Sequence, residues 1–287
     1  MTPVPRTLPV TLPVTLPDLP ELADHTIHGK ATVPAALLLD LLIRNVTVQD
    51  ARAASFPLIL RDAVFPRFLP ADEVERCTFE VSLEEMPEEA GTRATLTSRI
   101  SLVGGISRTR THAALTFGSP TPSLPPAPAE IACDVEVSAQ RVYSELIPFG
   151  PRYRNLHGEI RLGRDGGTGW VRSPEPASPE SSRAGCPYLF DSAMHLACLW
   201  GQRYAGVVAY PTGFSARAIA SRLAHGQRRC VVAPKTVGAR GLTFDLWLTD
   251  EKHAVCDTII GLAMAPLARG AQPPAWIVDP QASHHTP

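Results

Sequence analysis

Two stretches that are apolar nearly all the way round a helix most constrain the fold of this chain. The first, Pro34-Ala-Ala-Leu-Leu-Leu-Asp-Leu-Leu-Ile-Arg44, opens on a proline, where a missing N–H costs a helix least. The second runs from Tyr188 to about Tyr204 and follows Pro187. A helix without a polar face has to be buried on all sides, so each needs a sheet or layer wrapped around it. Candidate strands follow each in turn. After the first come 56–60, 75–83, 93–102 and 108–117; segments such as TFEVSL and THAALTF alternate apolar with polar, as a sheet with one covered face requires. Around and after the second come 158–162, 167–172, 216–219, 228–234, 242–249 and 255–263. One buried helix with several antiparallel strands, twice over, predicts an α+β chain in which two sheets each wrap a long helix.

Proline punctuates this order. Of 29 prolines, one cluster forms TLPVTLPVTLPDLPEL near the start, favouring extended or polyproline backbone. Another, SPTPSLPPAPAE, has almost no core-forming residues and reads as a linker. A third, PEPASPESSRAG, reads as an exposed loop. The expected division is therefore 1–118 for a first half, 119–130 for the linker, 131–270 for a second half and 271–287 for a flexible tail.

Composition excludes several classes. With 287 residues, 44% of them hydrophobic and 19% charged, the chain has enough apolar material for a large core. A net charge of −1 gives no electrostatic case for nucleic acid or an anionic membrane. No apolar run approaches the ~20 residues of a membrane span, and proline interrupts the opening where a signal peptide needs an unbroken apolar stretch. The six cysteines have no metal-type or redox-type spacing and read as reduced thiols of a cytoplasmic protein.

Three segments carry chemistry. In Leu22-Ala-Asp-His25-Thr-Ile-His-Gly29-Lys-Ala-Thr-Val-Pro34, a histidine precedes a glycine turn and a helix start. An imidazole held among apolar groups suits a general base, and unpaired backbone N–H groups at the glycine or the helix start suit a carbonyl oxygen gaining charge. The bland alternative is an ordinary turn histidine. In Cys186-Pro187-Tyr-Leu-Phe-Asp191-Ser-Ala-Met-His195, a carboxylate sits inside an apolar helix with His195 on the same face. Burial is expected to raise its pKa and keep a proton on it. A satisfied Asp–His pair that only specifies packing is the alternative. A metal held by Asp191, His195, His25 and His28 is a further one, but acid–base roles already account for these residues and no helical H-x-x-x-H pair is present. In Phe149-Gly150-Pro151-Arg-Tyr153, a tight Gly-Pro turn lies between large aromatic side chains, which alone reads as a packed surface turn.

Taken together, these segments resemble the dehydratase domains of polyketide synthases. His25, Gly29 and Pro34 fall in register with the family's H-x-x-x-G-x-x-x-x-P, preceded by L-A-D. Asp191 and His195 fit its D-x-x-x-Q/H, with Pro187 four residues earlier. Phe149-Gly150-Pro151-Arg-Tyr153 fits Y-G-P-x-F with the outer aromatics changed. The resemblance runs from about residue 17 to residue 267 and implies a double hotdog with the site between its halves. It implies that His25 takes the α-proton of a 3-hydroxyacyl thioester, that Asp191 protonates the departing hydroxyl, and that the carbonyl oxygen rests near Gly29. His195 would orient Asp191, while Pro34, Phe149, Gly150, Pro151 and Tyr153 shape the substrate site. Phe149 removes a phenol the family places near the pocket, or shifts it to Tyr153. No metal or cofactor is implied beyond the phosphopantetheine of an acyl carrier protein. The chain reads as free-standing, meeting that carrier in trans, with polyketide synthase modules as further partners and a monomer or homodimer as its state. Arg152, Arg154 and Arg161 are either a contact for the acidic carrier or a solvated basic face. A cyclase using the same pair, of product-template or oxa-Michael type, and a non-catalytic carrier-binding partner are the rival readings.

Overall fold

A computed structural model of the chain describes residues 9–16, 20–49, 56–87, 91–101, 106–118, 124–174, 185–220, 226–238, 241–267 and 272–278. In the first half the elements are β1 (Val10–Val14), β2 (Thr26–Ile27), β3 (Lys30–Val33), α1 (Ala35–Gln49), β4 (Leu58–Val64), β5 (Leu69–Pro70), α2 (Ala71–Val74), β6 (Thr78–Met86), β7 (Gly91–Ser101) and β8 (Ser107–Gly118). In the second they are β9 (Val135–Ser138), α3 (Ala139–Arg141), β10 (Leu156–Gly163), β11 (Gly166–Arg172), α4 (Pro187–Trp200), β12 (Ala209–Ile219), β13 (Gln227–Gly238), β14 (Gly241–Thr249), β15 (Val255–Pro266) and α5 (Ala275–Val278). The two long helices fall where the apolar stretches place them.

Both helices are core. On α1, Leu38, Leu39, Leu42, Ile43 and Val46 are buried, and on α4 every residue from Tyr188 to Ala197 is buried. The sheet that encloses them is a single antiparallel one of twelve strands, ordered β1-β6-β7-β8-β4-β12-β15-β14-β13-β11-β10-β9. The two expected sheets are thus continuous. They join where β4 of the first half pairs with β12 of the second, from Leu58 opposite Ile219 to Val64 opposite Gly213. Gly213 has to be small there, because a Cβ would lie 2.2 Å from the Ala63 carbonyl oxygen.

An ion pair is sealed beneath this junction. Arg217 on β12 makes three hydrogen bonds to Asp257 on β15, the shortest 2.6 Å, and its guanidinium lies 4.1 Å from the Phe190 ring centroid on α4. Both charges are out of solvent, so each is tolerable only because of the other.

Proline and glycine account for elements that alternation does not reveal. The TLPV repeat supplies β1, an edge strand on which Pro13 is tolerated. His28 and Gly29, both with positive φ, turn the β2–β3 hairpin. The expected linker lies against the second half, its Pro125 carbonyl accepting a hydrogen bond from the Trp247 indole N–H at 2.9 Å; residues 119–123 of it, and 175–184 of the expected loop, lie outside the described residues. The expected tail needs correction over 272–278. There α5 folds back with Ile277 buried, because Arg203 donates to the Ile277 and Val278 carbonyls and Arg141 stacks 3.5 Å from the Trp276 ring centroid.

Candidate active site

The first half brings one functional side chain to the seam. His25 follows the short 3-10 turn Pro20–Asp24, and its backbone is held by N–H to the Leu22 carbonyl and by its own carbonyl to the Thr32 N–H. Its ring is held as well. Nδ1 lies 2.8 Å from the Thr32 carbonyl oxygen, which only accepts, so Nδ1 carries the proton and Nε2 is the free acceptor. The side chain is buried, and burial keeps the imidazole below its ordinary pKa of 6.5 against the opposing pull of Asp191.

Asp191 comes from the other half, one turn into α4. Burial pushes its carboxyl up, but the attraction of the His195 and His25 imidazoles outweighs this and the net direction is down. This corrects the expectation from the sequence, which sets His195 on the same face but weighs burial above it and does not see His25 folded against the helix. His195 Nε2 lies 3.0 Å from Asp191 Oδ2, one turn along the same helix. Behind His195 stands Tyr143, whose hydroxyl oxygen accepts the Leu156 N–H at 2.9 Å and reaches His195 Nδ1 at 3.2 Å. A carboxylate only accepts, so the His195 Nε2 facing it carries the proton, and Nδ1 is left to accept from the Tyr143 O–H.

Phe149 lies between the two imidazoles, its ring centroid 4.3 Å from that of His25 and 5.1 Å from that of His195. One carboxylate clamps this turn to the histidine turn. Gly150 donates to the Asp24 carbonyl at 2.6 Å, and the Arg152 N–H donates to Asp24 Oδ2 at 2.9 Å. Asp24 packs so closely that a Cβ at Gly150 would meet its Oδ1 at 2.1 Å. Glycine is therefore required here by close approach, which the Gly-Pro turn alone does not indicate. A second tie crosses the seam from the Tyr188 hydroxyl to Glu21 at 2.9 Å.

His25, Phe149, Asp191 and His195 line a single cavity of about 370 Å³ whose wall is mostly apolar. Other expected site residues stand elsewhere. Gly29 is at the exposed tip of the β2–β3 hairpin, where it serves the turn, and outside the cavity wall. Pro34 is buried at the helix start, and its neighbours Val33 and Ala35 line the cavity instead. Gly150 and Pro151 form the clamp behind it. Tyr153 is 1% exposed and packs between His25 and Tyr188, so its phenol does not take the place that Phe149 leaves empty. The cavity does have a phenol, Tyr210 of β12, stacked 4.5 Å from Phe68. Arg154 donates to the Phe149 carbonyl and Arg161 pairs with Glu136, so both have partners within the chain. Among the described residues no group of three or more His, Cys, Asp or Glu is placed to hold a metal ion, and no helix is long and apolar enough to cross a membrane.

Sequence and fold comparisons follow the same lines. Residues 120–274, more than half of the chain, match the family model described as polyketide synthase dehydratase N-terminal domain. The chain belongs to the polyketide synthase dehydratase family. The match contains Asp191 and His195, while His25 lies before it. No curated protein matches the sequence. Among solved structures, an inactive mutant of the CurJ dehydratase in complex with a compound is similar at a TM-score of 0.71 and 18% identity, over 87% of this chain and 88% of that one. The dehydratase domain of a mycocerosic acid synthase-like polyketide synthase is similar at 0.69 and 18%, over 89% and 90%. That from the CurK module of curacin polyketide synthase is similar at 0.69 and 15%, over 91% and 93%. At these identities the likeness is one of fold, and it extends across both halves of the double hotdog.

Proposed function

We propose that this member of the dehydratase family removes water from a 3-hydroxyacyl thioester carried on the phosphopantetheine of an acyl carrier protein, with His25 as base and Asp191 as acid. The observation that carries the reading is the fixed tautomer of His25. Its Nδ1–H is committed to Thr32, so Nε2 can accept the α-proton in the cavity that Asp191 also lines. As the C–H bond breaks, its electrons form the new double bond, the β C–O bond breaks, and the hydroxyl leaves as water with a proton from Asp191; the reacting form is the minor one in which this carboxyl, which the imidazoles favour as carboxylate, holds the proton of the His25–Asp191 pair. The proton then on His25 restores Asp191. The reaction is redox-neutral and draws on no further cofactor. Gly29 lies off the cavity wall, so the thioester oxygen is assigned to the first-turn N–H groups of α1, where Ala35 lines the cavity. Two of the structural neighbours, an inactive histidine-to-phenylalanine mutant and an inactive aspartate-to-asparagine mutant, support the pairing of these residue types.

Incubation with a 3-hydroxyacyl carrier protein, followed by mass spectrometry, tests this. The expected product has lost one water, and the rate falls by about 10²–10⁴ in His25→Ala and in Asp191→Asn. An isobaric product with altered retention means cyclisation, and a carrier complex with unchanged mass means a binding role; either result overturns the proposal.

A further inference from the structure

The cavity does not end at the reacting pair. Asp191, His195, Cys198 and Gln202 succeed one another at helical spacing and all line it, so it follows one face of α4 and of the turn Gly201–Ala205 beyond. At 1.5 Å per residue this places Gln202 on the order of 16 Å from Asp191. The wall around this arm is mostly apolar, with Met194, Val208, Ala209, Met264 and Leu267, as an acyl chain requires.

Among the polar residues of that wall, which include Glu145 and Gln272, Gln202 is the one that is almost wholly buried. It is 1% exposed, and its Nε2 donates to the Leu146 carbonyl at 3.4 Å and toward Cys198 Sγ at 3.6 Å. Its Oε1 is buried with no hydrogen-bond donor among the described residues. Turning the amide over does not cure this, because a carbonyl such as that of Leu146 accepts only from the NH₂ side. An amide oxygen left unpaired in a buried wall is a standing cost. It is also a means of selection, since a site built around a buried acceptor favours the ligand that brings the donor. The turn that carries Gln202 is a π-type departure from α4, the kind of irregularity found at binding sites.

We propose that Gln202 is a specificity-determining residue whose Oε1 accepts a hydrogen bond from a hydroxyl on the acyl chain, remote from the carbons that react. The substrate class is then an oxygenated acyl chain rather than a plain hydrocarbon one. This rests on the dehydratase reading.

The test is competition among 3-hydroxyacyl carrier proteins of equal chain length, one unadorned and the others bearing a hydroxyl at successive distal carbons. The expected result is that the wild type prefers one hydroxylated chain by about tenfold or more in kcat/KM, the size of a hydrogen bond to a buried acceptor. In Gln202→Met the ratio falls to near one, and in Gln202→Glu, which keeps an acceptor, the preference remains. Gln202→Leu serves where the methionine variant fails to fold. No preference in the wild type, or one that persists in the apolar variants, overturns the inference. Should none of the chains lose water, the dehydratase reading fails instead, and affinities for the matching acyl-pantetheine amides still decide the role of Gln202.

Discussion

At the scale of single residues, the site is set by which nitrogen of each histidine is already committed. His25 gives its Nδ1–H to Thr32, whereas the Nδ1 of His195 faces Tyr143, so the Nε2 atoms of the two rings have opposite characters. This was only partly legible in the sequence. His25 and Asp191 stand out because each interrupts an apolar context, but Thr32 and Tyr143 look like ordinary β and helix residues. The direction of the Asp191 shift was not legible, although His195 stands on the same helix face, because it is a balance of burial against that imidazole and against His25, which only folding brings near. The His25 shift leads to a pH prediction. The base works only when neutral, and burial lowers its pKa from 6.5, so activity persists as pH falls to 6.5 and is lost below it. The acid limb of kcat/KM in free enzyme should therefore have its midpoint below 6.5; a midpoint at or above 6.5 contradicts the buried, Thr32-bonded histidine.

Among elements, the histidine turn and the Phe149–Tyr153 turn act as a single piece. Asp24 welds them, accepting from the Gly150 and Arg152 backbones through its carbonyl and carboxylate. The sequence shows this aspartate only as the residue before His25, and nothing local reveals a partner in the other half. Long helices were legible because their apolar run is continuous; β1, the β2–β3 hairpin and α5 were not, because they are short and owe their form to distant partners. Asp24→Ala leaves the Gly150 bond to the backbone carbonyl but frees Arg152, so the aromatic turn can drift from His25. The expected result is a loss of about 1.5–3 kcal/mol in stability by denaturant melting and roughly a tenfold fall in kcat/KM. A purely structural role would stop there. As a positioning residue, Asp24 should also let water reach His25 when removed, moving the acid limb up toward 6.5, with Asp24→Asn restoring it. A mutant with an unmoved pH profile refutes the positioning role.

For the molecule as a whole, the continuous sheet decides how the halves behave. Element order in the sequence implies two copies of a helix wrapped by strands, and the repetition is real, but it gives no sign that the copies share one sheet. That depends on Gly213, whose part is visible only once Ala63 is seen against it. The cavity is built on both sides of this join, from Phe65 and Phe68 after β4 and from Tyr210 and Pro211 on β12. Stability and site are therefore expected to fail together. Gly213→Ala places a methyl 2.2 Å from a backbone oxygen that no side-chain rotation can relieve. The strands must part, at a cost of about 1–3 kcal/mol for overpacking. In differential scanning calorimetry the variant should melt in one transition at a lower Tm, because neither half can shed the other without exposing a sheet edge and the apolar cavity. Two transitions, one at the original Tm, would show instead that each half closes its own sheet and that the β4–β12 pairing is incidental. A variant that melts once but turns over substrate normally would separate stability from the site and count against a cavity held open by the join.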